Sequence, residues 1–510
     1  MKKLPIGIQS FSYLREEGYL YIDKTEKIHE LLDSGKYYFL SRPRRFGKSL
    51  LLSTIKEIFQ GNKSLFSGLW IEDKWNWEEK VPVVHIPFSS IGYRTSTLQA
   101  AIDEKLSLIA EEHGTELKAS QFDQRFKELI RQLSAKGPIA MLIDEYDKPI
   151  IDYLTDMEQA KANREVLKSF YSVIKDSDPH IRFLIITGVS KFSRVSLFSD
   201  LNNLNDITIS PKYATLLGYT QDELEHYFAD RLATIHVDQL PKDTPLLEEI
   251  KKWYNGYSWD GKNFVYNPFS ILSFFDSTSF QNFWFQTGTP TFLVNLLKKR
   301  GIYEVEEEIV GQAAFDSFDV ERIDTNSLLF QTGYLTIREV VEIGLYRLAI
   351  PNQEVKSSLL QHLIGAFKEG DYSESTAIVV RLREAFRARD IEKVVQLING
   401  LFTSIPHQIF LSKSEAYYHS LIHLVFTYLG LYIESEVSTH RGRADAIVKT
   451  ATDIFVLEFK LDKSAEEAMA QIQSKGYAEK FATDGRPITA VAINFHSERK
   501  EVEQFMVQEI

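Results

Sequence analysis

The stretch Ser41–Leu51, SRPRRFGKSLL, organises the first part of the chain. Gly47, Lys48 and Ser49 follow one another directly. In a phosphate-binding loop this order provides a permissive glycine, a cation for the terminal phosphates and a hydroxyl for Mg²⁺. Such a loop normally opens with glycine, but Arg42 occupies that position here. A first glycine only eases the entry of the chain into the loop, so its replacement does not exclude an anion site.

The segments on either side of the loop support this interpretation. KYYFLSRP (36–43) predicts a strand that leads into the loop, and KSLLLSTIKEIFQG (48–61) predicts a helix that ends near Gly61. The free N–H groups and the positive dipole end of that helix favour a bound anion. The sequence therefore predicts nucleotide binding by a run of loop residues, with Ser49 also on the metal: Arg44, Arg45, Phe46, Gly47, Lys48, Ser49 and Leu50.

Further apolar runs alternate with helical segments through the first third of the chain. VPVVHIPFSS (81–90), GPIAMLIDEYD (137–147) and IRFLIITGVS (181–190) predict buried parallel strands, and 96–114 predicts a helix between two of them. This alternation predicts an α/β fold, with a doubly wound parallel sheet and helices on both of its faces.

Acidic and polar residues follow two of these strands. Asp144 and Glu145 come at the carboxyl end of an apolar strand, where α/β sheets bind ligands. We expect Asp144 to organise Mg²⁺ and Glu145 to activate the attacking water. Thr187 ends the next strand and is a candidate sensor of the terminal phosphate, and Arg194 is a candidate charge-stabilising arginine. For these last two residues, a polar strand end and a solvated loop remain the alternative.

A second candidate site lies in GRADAIVKTATDIFVLEFKLD (442–462). If strands 443–449 and 453–460 form a hairpin that turns at residues 451–452, Asp445 faces Glu458 with Cβ atoms about 5 Å apart. Lys460 lies on the same face, and the opposite face is apolar. A divalent cation, Mg²⁺ or Mn²⁺, relieves the repulsion between the carboxylates. The lysine can orient water or stabilise phosphate charge, which suits metal-assisted phosphodiester hydrolysis.

Composition sets limits on function. The 510 residues predict two to four domains, and the absence of cysteine excludes disulfides and fits a reducing cytoplasm. No apolar run approaches the ~20 residues of a membrane helix, and the N-terminus does not resemble a signal peptide. We therefore expect a cytoplasmic protein without membrane association. Because the net charge is −12, any nucleic-acid contact requires a local basic groove.

Four segments resemble the AAA-ATPase-like family that is found beside nuclease domains in many bacteria. They are YIDKTEKIHELL (21–32), FLSRPRRFGKSLLLSTIKEIF (39–59), MLIDEYDKPI (141–150) and GVSKFSRVSLFSDLNNLNDIT (188–208). The resemblance covers roughly residues 4–225. It implies ATP binding through Lys48 and Ser49, with Asp144 and Glu145 in the acidic-strand role, but it does not indicate what ATP hydrolysis drives.

The C-terminal spacing resembles the PD-(D/E)XK nuclease superfamily over about residues 405–500. That resemblance implies catalytic roles for Asp445, Glu458 and Lys460, and a metal-site role for Glu415 on the preceding helix. It also places Gln471, Lys475 and Tyr477 on the following helix. Ala444 stands where the superfamily pattern has proline, a position that varies among members.

These observations predict four regions: a P-loop domain (1–225), a helical lid or middle domain (226–350), a helical linker (351–404) and a restriction-endonuclease-like α/β domain (405–510). The expected function is an ATPase coupled to a Mg²⁺-dependent nuclease that acts on foreign or damaged nucleic acid, DNA rather than RNA. The alternatives are a regulatory or scaffolding ATPase whose nuclease-like domain binds without cleavage, and a loop that binds ATP without turnover. A homo-oligomer remains open.

One aromatic segment has no assigned role. WYNGYSWDGKNFVYNPFSIL (253–272) contains two turn signals, Asn255-Gly256 and Asp260-Gly261, among many aromatic residues. Such aromatic density is typical of a core, and the family has a similar stretch in its lid region. We expect no catalytic residue there.

Overall fold

A computed structural model describes most of the chain, and structural statements here concern these residues. They are 1–154, 156–191, 197–198, 201, 203–238, 240, 244–285, 293–294, 296–297, 308–315, 324–368, 372–403, 415–437, 445–499 and 501–510. The chain forms two compact units, one of residues 1–287 and 306–354, the other of residues 288–305 and 355–510. The four-region division from the sequence stays a prediction.

The helices of the first unit flank its strands in sequence. They are α1 (Phe11–Glu16), α2 (Thr25–Ser34), α3 (Lys48–Phe59), α4 (Leu98–Glu112), α5 (Phe122–Leu133), α6 (Lys148–Ile151), α7 (Met157–Asp176), α8 (Gln221–Tyr227), α9 (Ala229–Thr234), α10 (Leu246–Tyr254), α11 (Pro268–Ser277) and α12 (Thr325–Thr332). Helix α13 (Gln353–Lys368) begins in the first unit and continues in the second. The second unit adds α14 (Tyr372–Arg387), α15 (Ile391–Thr403), α16 (Glu415–Leu429) and α17 (Ala465–Ser474).

Within the described ranges the strands form three sheets. The first contains β1 (Tyr37–Ser41), β2 (Val83–Pro87), β3 (Ile139–Asp144), β4 (Ile181–Gly188) and β5 (Asn205–Asp206). The second contains β6 (Glu308–Gly311), β7 (Thr336–Glu342) and β8 (Leu345–Ala349). The third contains β9 (Glu434–Val437), β10 (Ala446–Lys449), β11 (Ile454–Leu461), β12 (Ile488–His496) and β13 (Glu501–Glu509).

The first sheet has the order β2-β3-β4-β1-β5, and all of its strands are parallel. Every residue of β1 and β3 is buried, because helices cover both faces of the sheet. Parallel strands point their carboxyl ends to one edge, where β1 runs into the loop before α3 and β3 ends in Asp144. This edge positions the first candidate site, and the doubly wound parallel sheet is confirmed.

The middle of the first unit is helical, with a small antiparallel sheet of order β6-β8-β7. Its core contains aromatic side chains from the segment that had no assigned role, including Tyr254 and Tyr266, and from the residues just after it, Phe274 and Phe275. None of the described helices is both long and apolar enough to cross a bilayer.

The third sheet has the order β13-β12-β11-β10-β9, with β11 and β12 parallel and the other pairs antiparallel. Residues of α17 pack on one face, and Phe386 and Phe426, from α14 and α16, contact phenylalanines of β11 on the other. The predicted C-terminal α/β fold is confirmed.

Two details of this third sheet differ from the sequence-based expectation. The helix expected to carry Gln471, Lys475 and Tyr477 ends at Ser474, so only Gln471 lies within it, and Gly476 follows with a φ of 61°. The final strand, β13, was not predicted. It lies at the sheet edge, most of its residues are exposed, and its glutamates and glutamines mask the alternation that would mark a half-buried strand.

Candidate functional site

The first candidate site forms where the loop after β1 turns into α3. Gly47 immediately precedes the helix with a φ of 88°, and open space surrounds the position of an added Cβ. Arg45 also has a left-handed φ, 67°, whereas Arg42 does not. The loop therefore turns at residues 45 and 47 and has no conformational need for glycine at position 42.

Three hydroxyl and carboxylate groups converge beside this helix start. Ser49 Oγ donates to Asp144 Oδ2 at 2.6 Å, and Thr187 Oγ1 donates to Asp144 Oδ1 at 2.6 Å. Asp144 and Thr187 are both buried. The structure thus brings together the predicted metal hydroxyl, the predicted metal carboxylate and the strand-end threonine. Arg194 lies outside the described residues.

Lys48 lies at the centre of the loop and is only 6% exposed. Its Nζ donates to the backbone carbonyls of Arg42 and Pro43, each at 2.9 Å. Burial lowers the pKa of the ammonium, while Asp144 and Glu145 act to raise it. Because a buried cation held by neutral carbonyls gains from an anion, the surroundings of Lys48 fit a phosphate.

A cavity of about 510 Å³ opens in front of these groups. Its walls include Glu145, whose φ is 53°, and the predicted nucleotide residues Arg44, Arg45, Gly47, Lys48, Ser49 and Leu50. The volume is that of a small-molecule site. This donor set fits phosphates and Mg²⁺: Lys48 and the loop would hold the phosphates, and Ser49 and Asp144 would hold the cation. The nucleotide roles of these residues stay predictions.

The loop arginines divide into two kinds. Arg42 is 1% exposed, donates to the carbonyls of Ser41 and Thr208, and stacks 3.9 Å from the Trp259 ring. Arg42 therefore holds the loop in the core, whereas Arg44 and Arg45 line the cavity. The Phe46 ring is buried against Trp259 as well, so only its backbone is placed to meet a phosphate.

The second candidate site is the β10–β11 hairpin. Ala446 pairs with Leu457, which sets Asp445 opposite Glu458, in the register that the sequence predicts. Asp445 Oδ2 accepts a hydrogen bond from the backbone N–H of Phe459 at 2.8 Å. Lys460 Nζ donates to Glu458 Oε1 at 2.8 Å. The structure thus places the two acids and the lysine together.

The hairpin is more deeply buried than the sequence analysis predicts, since only the face opposite the acids was expected to be apolar. Residues of α17 pack against Ile447 and Val456 on the acidic face, so that face is core as well, and Glu458 is 1% exposed. Burial and the charge of Asp445 raise the pKa of Glu458 to about 7. Oε2 of Glu458 is buried and accepts no hydrogen bond from the described residues. A divalent cation fits this oxygen because it would supply the missing partner.

The segment at the end of α17 adds a tyrosine to this site. Gln471 Nε2 donates to the Tyr477 hydroxyl at 3.1 Å. Burial raises the pKa of Tyr477, and the nearby charges of Glu458 and Asp445 raise it further. Tyr477 therefore lies close to the carboxylates, whereas Lys475 is exposed where α17 ends.

The third acid predicted for this site comes from the helix before the hairpin. Glu415 is the first residue of α16, and its side chain lies outside the described part of the structure. Within that described part, no group of three or more histidine, aspartate or glutamate side chains forms a metal cluster. Metal binding by Glu415, Asp445 and Glu458 stays a prediction.

Comparison with known proteins assigns both regions. Residues 5–198 match the family described as "Predicted AAA-ATPase", and residues 413–505 match the PD-(D/E)XK nuclease superfamily. A protein of Azotobacter chroococcum mcd 1, named "Uncharacterized protein in vnfD 5'region", is 41% identical over 528 residues, which cover 100% of this chain and 99% of that protein. The chain belongs to the AAA-ATPase-like family. Its C-terminal region is a PD-(D/E)XK nuclease superfamily domain. No solved structure matches the chain significantly.

The two matches enclose the two sites of this AAA-ATPase-like protein. The first contains the loop, Asp144, Glu145 and Thr187, and the second contains Glu415 and the hairpin carboxylates. Both families typically use a divalent metal or ATP, in agreement with the donor sets described above. The sequence did not indicate the role of Trp259. Its only signal was the aromatic density of the 253–272 segment.

Proposed function

We propose that the chain binds and hydrolyses ATP and couples this activity to a metal-dependent nuclease. The observation that carries the proposal is the pair of hydrogen bonds from Ser49 and Thr187 to Asp144 beside the buried Lys48. Bound Mg²⁺ supplies charge neutralisation for the phosphates and a fixed geometry for their transfer. Lys48 would turn donors that now serve the loop carbonyls toward phosphate oxygens, and Ser49 would hold the cation through its hydroxyl.

Glu145 is the candidate for positioning the attacking water. It follows Asp144 directly and lines the cavity. Its left-handed backbone conformation turns the chain away from the line of the buried strand. A carboxylate at this place can accept the proton of a water in line with the terminal phosphate. Glu145 would thus act on hydrolysis, and Lys48 on binding.

The nuclease-like site would act on a phosphodiester. Asp445 and Glu458 would hold Mg²⁺ or Mn²⁺, which lowers the pKa of a bound water and polarises the phosphate. Lys460, which forms an ion pair with Glu458, would stabilise the charge that develops on the phosphate. We expect DNA rather than RNA, of foreign or damaged origin, as the substrate.

A second function remains in competition. A regulatory or scaffolding ATPase would use its nuclease-like domain to bind nucleic acid or protein without cutting. The near-complete burial of Glu458 favours this alternative, because a catalytic carboxylate must reach a substrate-bound metal.

Two activities measured on one set of variants separate these functions. Wild type, Lys48→Ala, Glu145→Gln and Glu458→Ala are assayed for phosphate release and for Mg²⁺-dependent cleavage of a DNA and RNA panel, with and without ATP. We expect Lys48→Ala to lose ATP binding, Glu145→Gln to bind without turnover, and Glu458→Ala to lose cleavage alone. Glu434→Gln is the control, because Glu434 is an exposed glutamate on β9. This variant should keep both activities. Equal cleavage by wild type and Glu458→Ala would refute the nuclease.

A further inference from the structure

The middle of the first unit contacts each of residues 42–46, which form the start of the phosphate loop. Arg42 stacks on Trp259 at 3.9 Å. Pro43 lies so close to Gly333 that a Cβ on this glycine would come within 2.8 Å of the proline ring. Because Gly333 also has a φ of 92°, the packing requires glycine there. The loop is thus held from outside as well as by its own helix.

The next three residues are held in the same way. The indole Nε1 of Trp284 donates to the carbonyl of Arg44 at 3.2 Å. Arg45 lies over the Phe269 ring at 5.0 Å, and the Phe46 ring packs on Tyr257 at 4.8 Å. All five residues from 42 to 46 therefore contact the middle of the first unit, and three of them, Arg42, Arg45 and Phe46, contact the aromatic segment 253–272 that had no assigned role.

Three successive loop carbonyls accept hydrogen bonds from two donors. Lys48 Nζ donates to the carbonyls of Arg42 and Pro43, and the Trp284 indole N–H donates to the carbonyl of Arg44. An ammonium has three donors and the loop carbonyls take two of them, so a phosphate that takes more than one Lys48 N–H competes with the loop. The bond from Trp284 uses none of these donors and can persist when a nucleotide binds.

Trp284 is also bonded through its backbone. Its N–H donates to Glu354 Oε1 at 2.8 Å, and the Ser270 hydroxyl donates to Glu354 Oε2 at 2.8 Å. Glu354 is fully buried and belongs to the first turn of α13. A buried carboxylate is costly unless hydrogen bonds satisfy it, so these donors hold the turn firmly to Trp284. The loop carbonyl and the first turn of α13 are thus joined through one tryptophan.

We propose that Trp284 and Glu354 are positioning residues that couple nucleotide binding at the loop to the first turn of α13. This inference rests on the proposed ATP site. Nucleotide binding fixes the loop carbonyls, the Trp284 indole follows the Arg44 carbonyl, and Glu354 follows the Trp284 backbone. ATP should therefore protect the backbone of residues 353–358, although none of them lines the nucleotide cavity.

The test combines nucleotide affinity with hydrogen exchange on the full chain. Trp284→Phe keeps an aromatic ring and removes the indole donor. Loss of one hydrogen bond should weaken binding of a fluorescent ATP analogue roughly fivefold. Trp253→Phe is the matched control, because its indole donates to Glu249 Oε1 within one helix at 3.0 Å. In wild type and the control, ATP should slow exchange over residues 353–358. In Trp284→Phe that response should disappear.

Glu354→Ala gives an independent arm, because it breaks the link at α13 and leaves the indole bond intact. Thermal unfolding shows whether each variant folds. If Trp284→Phe does not fold, Glu354→Ala still tests the inference, because it should lose the ATP-dependent slowing of exchange over residues 353–358. A wild type that binds ATP with no change in exchange there would overturn the inference and leave the proposed function standing. So would a Trp284→Phe variant that behaves as wild type in both measurements. A wild type that binds no ATP would overturn both.

Discussion

A change of pH should alter metal binding at the hairpin carboxylates by a definite factor. The pKa of Glu458 is about 7 instead of the ordinary 4.5, because of burial first and the charge of Asp445 second. A proton and a divalent cation compete for this carboxylate. With that pKa, about a tenth of the molecules carry ionised Glu458 at pH 6 and about nine tenths at pH 8. The apparent association constant for Mn²⁺ should therefore rise roughly tenfold over this range.

The same pKa predicts the opposite trend for the stability of the metal-free protein. A raised pKa means that the folded protein binds this proton more tightly than the unfolded chain does. The resulting stabilisation is fully present below about pH 4.5 and is lost as the pH rises through 7, to a total of about 3 kcal/mol. Mn²⁺ should restore it, because the cation takes the place of the proton beside Glu458.

The assay is calorimetric titration of the nucleotide-free full chain with MnCl₂ at pH 6, 7 and 8. The Ser49→Ala background removes the metal hydroxyl of the other site. Glu458→Gln should abolish the pH-dependent component, whereas Glu434→Gln, the same substitution at an exposed position of the same sheet, should preserve it. Two results would refute the reasoning. One is a wild-type association constant for Mn²⁺ that is equal at pH 6 and pH 8. The other is a Glu458→Gln variant whose association constant depends on pH as strongly as that of wild type.

Three further predictions concern the nucleotide site and the loop that forms it. Lys48→Ala should weaken ATP binding at least a hundredfold in a fluorescence titration, about 3 kcal/mol for a buried charge-assisted contact; unchanged affinity would contradict the site. Thr187→Val removes the hydroxyl that supports Asp144 and should raise the Mg²⁺ concentration for half-maximal hydrolysis roughly tenfold; an unaltered Mg²⁺ dependence would exclude this role. Arg42→Ala should lower the unfolding free energy by about 2–4 kcal/mol in denaturant titrations, since it removes the stack on Trp259 and three buried hydrogen bonds; a change below about 0.5 kcal/mol would refute the structural role.

Local order along the chain was enough to predict much of the fold and both sites. Short apolar runs bounded by turns indicated the parallel strands, and the direct succession of Gly47, Lys48 and Ser49 indicated where α3 begins. The strand period of two was enough to set Asp445 opposite Glu458, because pairing across a two-residue turn leaves little freedom of register. These features depend on neighbours a few residues apart.

The remaining features depend on residues far apart in sequence. The hydrogen bond from Thr187 to Asp144 and the stack of Arg42 on Trp259 join segments that only the folded chain brings together. Burial of Glu458 likewise requires α17 to cover the hairpin. The sequence by itself determined which residues could bind phosphate and metal. Only the tertiary structure decided which of them are buried, because burial depends on what packs against a side chain and not on its neighbours in the chain.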